Sequence, residues 1–241
     1  MKTIIGPQDA ATISLYMGFH NCASLANLVY YQHQIGQYAG WGGSIVRIIA
    51  GEARGRTLVA PKGMDTRPTL DRVRESLFNI LRPYLADAVV LDLFAGSGAL
   101  GLEAISRGAA SAVFADHARA AQEAVAHNID VVRAADRATL LRCDWRTALR
   151  RLQGEGAQFD LVFLDPPYHL PDAPEMLRVL RESGLLAQGA LVVYEHGQDT
   201  QPDLAGWDLA DRRTYGDTVI TFLKEHVEAT GDADGAVSGQ L

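Results

Sequence analysis

From residue 89 onward, short apolar runs alternate with longer stretches in which apolar residues recur every three to four positions. The runs are too short for helices and rich in β-branched residues, and they predict strands at 89–94, 111–116, 138–143, 159–164 and 189–195. The stretches between them predict helices at 98–107, 119–134, 145–153 and 172–183. Regular alternation of this kind gives a parallel sheet with helices on both faces. Two further strands, 207–214 and 217–223, meet at Tyr215-Gly216-Asp217 and predict a closing hairpin. The expected fold class is α/β, a doubly wound Rossmann-like sheet of seven strands, mostly parallel with one antiparallel edge.

Upstream the pattern changes. Residues 45–50 and 56–60 read as two strands joined by a turn. After Pro61-Lys62-Gly63, Thr69 is placed to cap a helix with Asp71 in its first turn. Leu70, Val73, Leu77 and Leu81 share one face of that helix, and Arg72 and Arg74 project elsewhere. The chain thus divides into an extension (1–44), a basic hairpin–helix module (45–82), a main domain (83–224) and a tail expected to be disordered (225–241). No charged residue occurs between Asp9 and Arg47, but His20, Asn21 and Cys22 interrupt the best apolar window there. Neither a membrane span nor a signal peptide fits. The extension is expected to be weakly ordered and is open to being upstream sequence outside the native start.

At 241 residues and 48% hydrophobic, the chain can bury one full core with a small appended module. The net charge of −7 argues against a polyanionic partner until its distribution is considered. Residues 45–82 hold Arg47, Arg54, Arg56, Lys62, Arg67, Arg72, Arg74 and Arg82 against Glu52, Asp65, Asp71 and Glu75. A basic module on an acidic body can still dock a phosphate backbone, because screening limits each charge to roughly 8–10 Å. The competing reading is a solvated charged surface. Cys22 and Cys143 make no disulfide framework and no zinc spacing, and the histidines form no metal-binding group. No metal and no membrane are assigned, and the expected compartment is the cytoplasm.

Chemistry-bearing residues fall at the carboxyl ends of the predicted strands, where open α/β sheets bind ligands. The first strand ends in Asp92 and breaks into Ala95-Gly96-Ser97-Gly98 before a helix. Glycines let a ligand approach the backbone, and the helix start offers free N–H groups. Gly96, Gly98 and Gly101 match G-x-G-x-x-G, which by itself dinucleotide dehydrogenases share. Asp116 ends the second strand, where a carboxylate can accept both ribose hydroxyls; capping the next helix is the alternative. Asp144 follows the third strand and can either accept from an adenine amine, with Trp145 or a neighbour covering the ring, or cap the helix from Trp145.

Asp165-Pro166-Pro167-Tyr168, after the fourth strand, is the most specific signal. An aromatic amine is a poor nucleophile because its lone pair is delocalised. Accepting its N–H groups on the Asp165 carboxylate and the Pro166 carbonyl draws the nitrogen towards tetrahedral geometry. The prolines fix the carbonyl direction and remove competing donors. Tyr168 offers a face for a flipped-out base. His117 and His169 read as surface residues. The combined reading is an S-adenosylmethionine-dependent methyltransferase of the class I fold acting on an exocyclic amine.

Arg47-Ile48-Ile49-Ala50-Gly51, Arg54-Gly55-Arg56, Arg67-Pro68-Thr69, Asp71-Arg72-Val73-Arg74-Glu75 and Leu77-Phe78-Asn79 resemble the opening of the bacterial RsmD family. The stretch from Asp92 to Arg107, the one from Asp165 to Tyr168, and Tyr215-Gly216-Asp217-Thr218 do so as well. The resemblance covers about residues 46–224. It implies methylation of the N2 amine of a guanine in 16S ribosomal RNA, with S-adenosylmethionine as cofactor and a small-subunit assembly intermediate as substrate. It further implies that the basic module, with Arg54, Arg56, Arg67, Arg72 and Arg74, helps hold the RNA. One departure is Ala118, where the family usually shows a second acid. Spacing alone leaves open a DNA adenine or protein glutamine amide as acceptor, a nicotinamide oxidoreductase, and a non-catalytic RNA-binding module.

Overall fold

The computed structural model describes residues 45–61, 68–167 and 173–227. Its elements in chain order are β1 (Ile45–Arg47), β2 (Thr57–Val59), α1 (Pro68–Leu81), a 3-10 turn (Arg82–Tyr84), β3 (Val89–Leu93), α2 (Ala99–Ser106), β4 (Ser111–Ala115), α3 (Arg119–Val132) and β5 (Ala138–Leu141). There follow α4 (Trp145–Gly154), β6 (Phe159–Leu164), α5 (Ala173–Glu182), β7 (Leu186–Gly197), β8 (Trp207–Tyr215) and β9 (Thr218–Glu225). Every strand and helix expected from periodicity is present, β6 with the expected bounds and the others with shifted ends. α1 already begins at Pro68, whose fixed φ suits a first helical position, so Thr69 lies inside the helix rather than capping it. β7 starts three residues earlier than its apolar run, across an irregular register with β6 between Phe159 and Leu161. β9 runs to Glu225, and the rest of the expected tail, like the 1–44 extension, lies outside the described residues.

The seven-stranded sheet has the order β5-β4-β3-β6-β7-β9-β8. β3 to β7 are parallel, and β9 inserts antiparallel between β7 and β8. The β8–β9 loop is Gly216-Asp217, and Gly216 takes φ 60°, as the first residue of a two-residue hairpin loop must. Alternation along β6 sends Leu161 and Phe163 to one core layer and Val162 and Leu164 to the other. The first layer is closed by α1, α2, α3 and the small hairpin, the second by α4 and α5. α1 buries Phe78 as well as the expected Leu77 and Leu81, with the Phe78 ring 6.0 Å from that of Phe163.

The hairpin β1–β2 is seated by side chains of the main sheet's helices. Ile49 and Ala50 donate backbone N–H groups to the Glu103 carboxylate at 2.7 and 3.0 Å, and Ala53 donates to Ser106 Oγ at 3.0 Å. A Cβ on Gly51 would stand 1.7 Å from the Ser106 carbonyl oxygen, so only glycine lets the turn lie this close to α2. Gly43–Leu241 accordingly forms one compact unit. Among the described residues no helix is long and apolar enough to cross a membrane.

Candidate active site

Strand order and register line up one edge of the sheet. Leu93 is level with Ala115 on one side and Leu164 on the other, and Leu164 is level with Tyr194. One step further, Asp116, the turn opened by Phe94, Asp165 and, still inside β7, Glu195 stand in a row across β4, β3, β6 and β7. Side chains alternate along each strand, so Asp92, Asp165 and Glu195 share the face of Phe163 and Val193.

The turn after β3 is conformationally unusual. Phe94 holds φ 68°, rare for a residue with a side chain, and Gly98, at φ 75°, caps α2 without a side-chain bond. Asp92, 2% exposed, accepts the Gly101 N–H at 3.0 Å, and Asp116 accepts the Gly96 N–H at 3.0 Å. Gly101 is required by packing, since a Cβ there would come within 2.4 Å of the Phe114 ring. The two carboxylates thus hold both ends of the turn. Ala99 and Leu100, in the first turn of α2, have no intrahelical carbonyl for their N–H groups. Ala95 and Ser97 are buried; the Ala95 N–H bonds to the Ala115 carbonyl at 3.1 Å.

Burial, joined by neighbouring carboxylates at Asp92 and Glu195, raises the affinity of Asp92, Asp165 and Glu195 for protons. Burial, then Asp165 and Asp116, push Asp92 up to about 7, against the pull of the Gly101 N–H. Burial raises Asp165 to about 6, and burial followed by the facing Asp165 raises Glu195 to about 8. The two neighbouring carboxyl groups resist joint ionisation at neutral pH. Such a crevice favours a cationic ligand and a hydrogen-bond donor.

The other expected residues have varied surroundings. Asp116 spends its second oxygen on the Ala118 N–H at 2.8 Å, and His117 is exposed beside it. Asp144 caps α4, accepting from Thr147 N–H at 3.0 Å and Thr147 Oγ1 at 2.7 Å. Trp145 is 6% exposed and packs with Leu141 and Leu149 while Arg146 lies over its ring at 4.3 Å, so it covers no adenine ring. Pro166 is partly exposed and Pro167 exposed; Tyr168 and His169 lie outside the described residues. Arg54 and Arg72 are exposed, whereas Arg56 bonds to the Val131 carbonyl and Arg74 is held by Asp71 at 3.0 Å and the Arg47 carbonyl. Arg67 lies outside the described residues.

Two residues that sequence reasoning passed over belong to the site. Glu195 was read only as part of a strand. Asn128 is completely buried in α3: its Oδ1 accepts the Val59 N–H at 2.9 Å and its Nδ2 donates to the carbonyls of Val59 and Ser97, both at 2.8 Å. It therefore ties the hairpin to the glycine turn. An amide on the apolar face of Ala121, Ala124, Val125 and Ile129 is the signal that could have found it.

A family model described as conserved hypothetical protein 95 matches residues 46–224. The chain belongs to that family, the RsmD family. Ribosomal RNA small subunit methyltransferase D of Escherichia coli strain K12 is 38% identical over 197 residues, covering 80% of this chain and 96% of the relative. The solved structure of yhhF from Escherichia coli superimposes with a TM-score of 0.66 at 36% identity, over 77% of this chain and all of that one (100%). SMU.776, solved complexed with SAH, has a TM-score of 0.56 at 13% identity over 72% of this chain and 54% of its own, a likeness of fold alone. The chain thus has the class I S-adenosylmethionine-dependent methyltransferase fold, as the element pattern predicts.

Proposed function

We propose that this chain transfers a methyl group from S-adenosylmethionine to the exocyclic N2 amine of a guanine in 16S ribosomal RNA, acting on a small-subunit assembly intermediate. The observation that carries this reading is Asp165, partly exposed beside the glycine turn, followed directly by the Pro166 carbonyl. The named relative, a small-subunit ribosomal RNA methyltransferase matched over most of both chains, supports the substrate class.

The crevice fits the cofactor. Asp92, Asp116 and Asp165 form a one-signed cluster at the glycine turn, and ionisation of Asp92 is resisted first by burial and then by the two neighbouring carboxylates. A ligand bearing a sulfonium and an ammonium relieves that excess, and its carboxylate suits the first N–H groups of α2. In this reading the turn Gly96-Ser97-Gly98 lies against the cofactor and Asp116, beyond its bonds to Gly96 and Ala118, accepts the ribose hydroxyls. Asp144, spent on capping α4, would reach the adenine amine only by giving up a Thr147 bond. When bound, S-adenosylmethionine supplies an electrophilic methyl group.

The chain's own part is positioning. The Asp165 carboxylate and the Pro166 carbonyl accept the two N–H bonds of the amine, turning its lone pair towards the glycine turn. The proton leaves to Asp165 as positive charge builds on nitrogen, which an acid titrating near 6 can accommodate at neutral pH. Holding the reactants in line supplies most of the acceleration. Incubation with labelled S-adenosylmethionine and undermethylated small subunits, followed by mass mapping of the modified nucleotide, tests the proposal. Label on guanine N2 is expected, with Asp165→Ala reducing turnover at least ~100-fold while sparing cofactor affinity. RNA left unlabelled by the wild-type protein overturns it.

A further inference from the structure

The mechanism above leaves Glu195 unused, although it stands next to Asp165 at the same level of the sheet. Leu164 and Tyr194 are register partners, so the following residues, Asp165 and Glu195, are neighbours on the face shared with Phe163 and Val193. Across the strand order the edge runs from the glycine turn on β3, through Asp165 on β6, to Glu195 on β7. On its other side Glu195 pairs with Ile220, an apolar residue of the same core layer. The row therefore progresses from cofactor turn to amine acceptor to a second carboxyl group.

We infer that Glu195 is a specificity-determining residue, pairing with the N1–H and O6 edge of the target guanine while Asp165 holds its N2 amine. The inference rests on the guanine reading of the preceding subsection. A guanine presents O6, N1–H and the N2 amine in sequence along one edge. With the amine at Asp165, the remaining positions continue away from the cofactor, in the direction in which Glu195 lies. A carboxylic acid offers one O–H donor and one carbonyl acceptor, which match the O6 acceptor and the N1–H donor of the lactam. Two carboxyl groups this close resist joint ionisation, and burial together with the facing Asp165 raises the affinity of Glu195 for a proton. The two acids thus divide the work: Asp165 accepts from the amine, and Glu195 reads the part of the base that separates guanine from a purine bearing only a 2-amine.

Small subunits reconstituted with 2-aminopurine riboside at the target position keep the amine but lack O6 and N1–H. The wild-type protein is expected to lose about 10–100-fold in kcat/KM on that change. Glu195→Ala should start about 10–100-fold lower on guanine and lose less than about threefold further on 2-aminopurine, because the contacts have already gone. Glu195→Gln, which also offers one donor and one acceptor, should recover most of the alanine loss. Thermal stabilisation by S-adenosylmethionine reports folding and cofactor binding of each variant independently. If the alanine variant does not fold, the wild-type response to 2-aminopurine and the activity of Glu195→Gln decide the matter. An alanine variant that works at the wild-type rate, or discriminates as the wild type does, overturns the inference, and so does a glutamine variant as poor as alanine. Absence of methyl transfer by the wild type to guanine-bearing subunits overturns instead the reading on which the inference stands.

Discussion

At the scale of single residues the crevice is built from carboxyl groups that would be more stable in water. Asp92 titrates near 7 in the folded chain rather than at 3.8. As pH rises from about 4, the unfolded chain releases this proton while the folded chain retains it, so stability falls until Asp92 itself ionises near pH 7. Asp92→Asn keeps an acceptor for the Gly101 N–H and removes the ionisation. Without cofactor, the variant is expected to gain about 3–4 kcal/mol over the wild type at pH 8, about 1–2 kcal/mol at pH 5 and little at pH 3, read as the difference in Tm between pH 8 and pH 3. Under the proposed function its affinity for S-adenosylmethionine should also fall, because the crevice has lost a negative charge that would favour a cationic ligand. Asp92, Asp116 and Asp165 were legible in the sequence because each ends an apolar run, and strand ends in this fold class share one edge. Glu195 was not, because Val193-Tyr194-Glu195-His196 reads as plain strand until its neighbour is known.

At the scale of elements, the hairpin and the glycine turn behave as one structure through buried polar contacts. Asn128 joins β2 to Ser97, and Glu103, fully buried, takes the N–H groups of Ile49 and Ala50 together with Arg107 Nε at 2.6 Å. Removing such a group leaves its partners buried without hydrogen bonds, which costs more than the bonds themselves contribute. Asn128→Ala is expected to lower stability by about 2–4 kcal/mol in urea unfolding. It should also weaken S-adenosylmethionine binding, since the Ser97 carbonyl anchors the turn. Loss of stability with unchanged cofactor affinity would show that the turn holds its shape alone. The module was visible in the sequence as hairpin plus basic helix, but its dependence on α2 and α3 was not. The clamps span separations such as Val59 to Asn128 that no periodicity encodes.

For the whole molecule, a net charge of −7 is set against a hairpin–helix region rich in arginine. The structure divides those arginines by task. Arg56 and Arg74 are committed to carbonyls and Asp71, while Arg54 and Arg72 are exposed. Binding to 16S ribosomal RNA should therefore weaken in Arg54→Ala and Arg72→Ala, each flattening the dependence of log K on log salt by about 0.7–1. Arg56→Ala should act chiefly through thermal stability. Anisotropy titrations at several salt concentrations separate the two classes, and an unchanged salt slope in both exposed variants would remove them from the RNA face.

Sequence by itself determined the elements, the glycine turn, the acid-Pro-Pro motif and the family, because each is written in neighbouring residues through side-chain period and backbone preference. Tertiary structure alone decided the strand order that puts Glu195 beside Asp165, the burial that raises their affinities for protons, and the use of Trp145 as core rather than ring cover. Proximity between strands and exclusion of water are properties of packed segments, and a linear pattern holds neither until the chain has closed on itself.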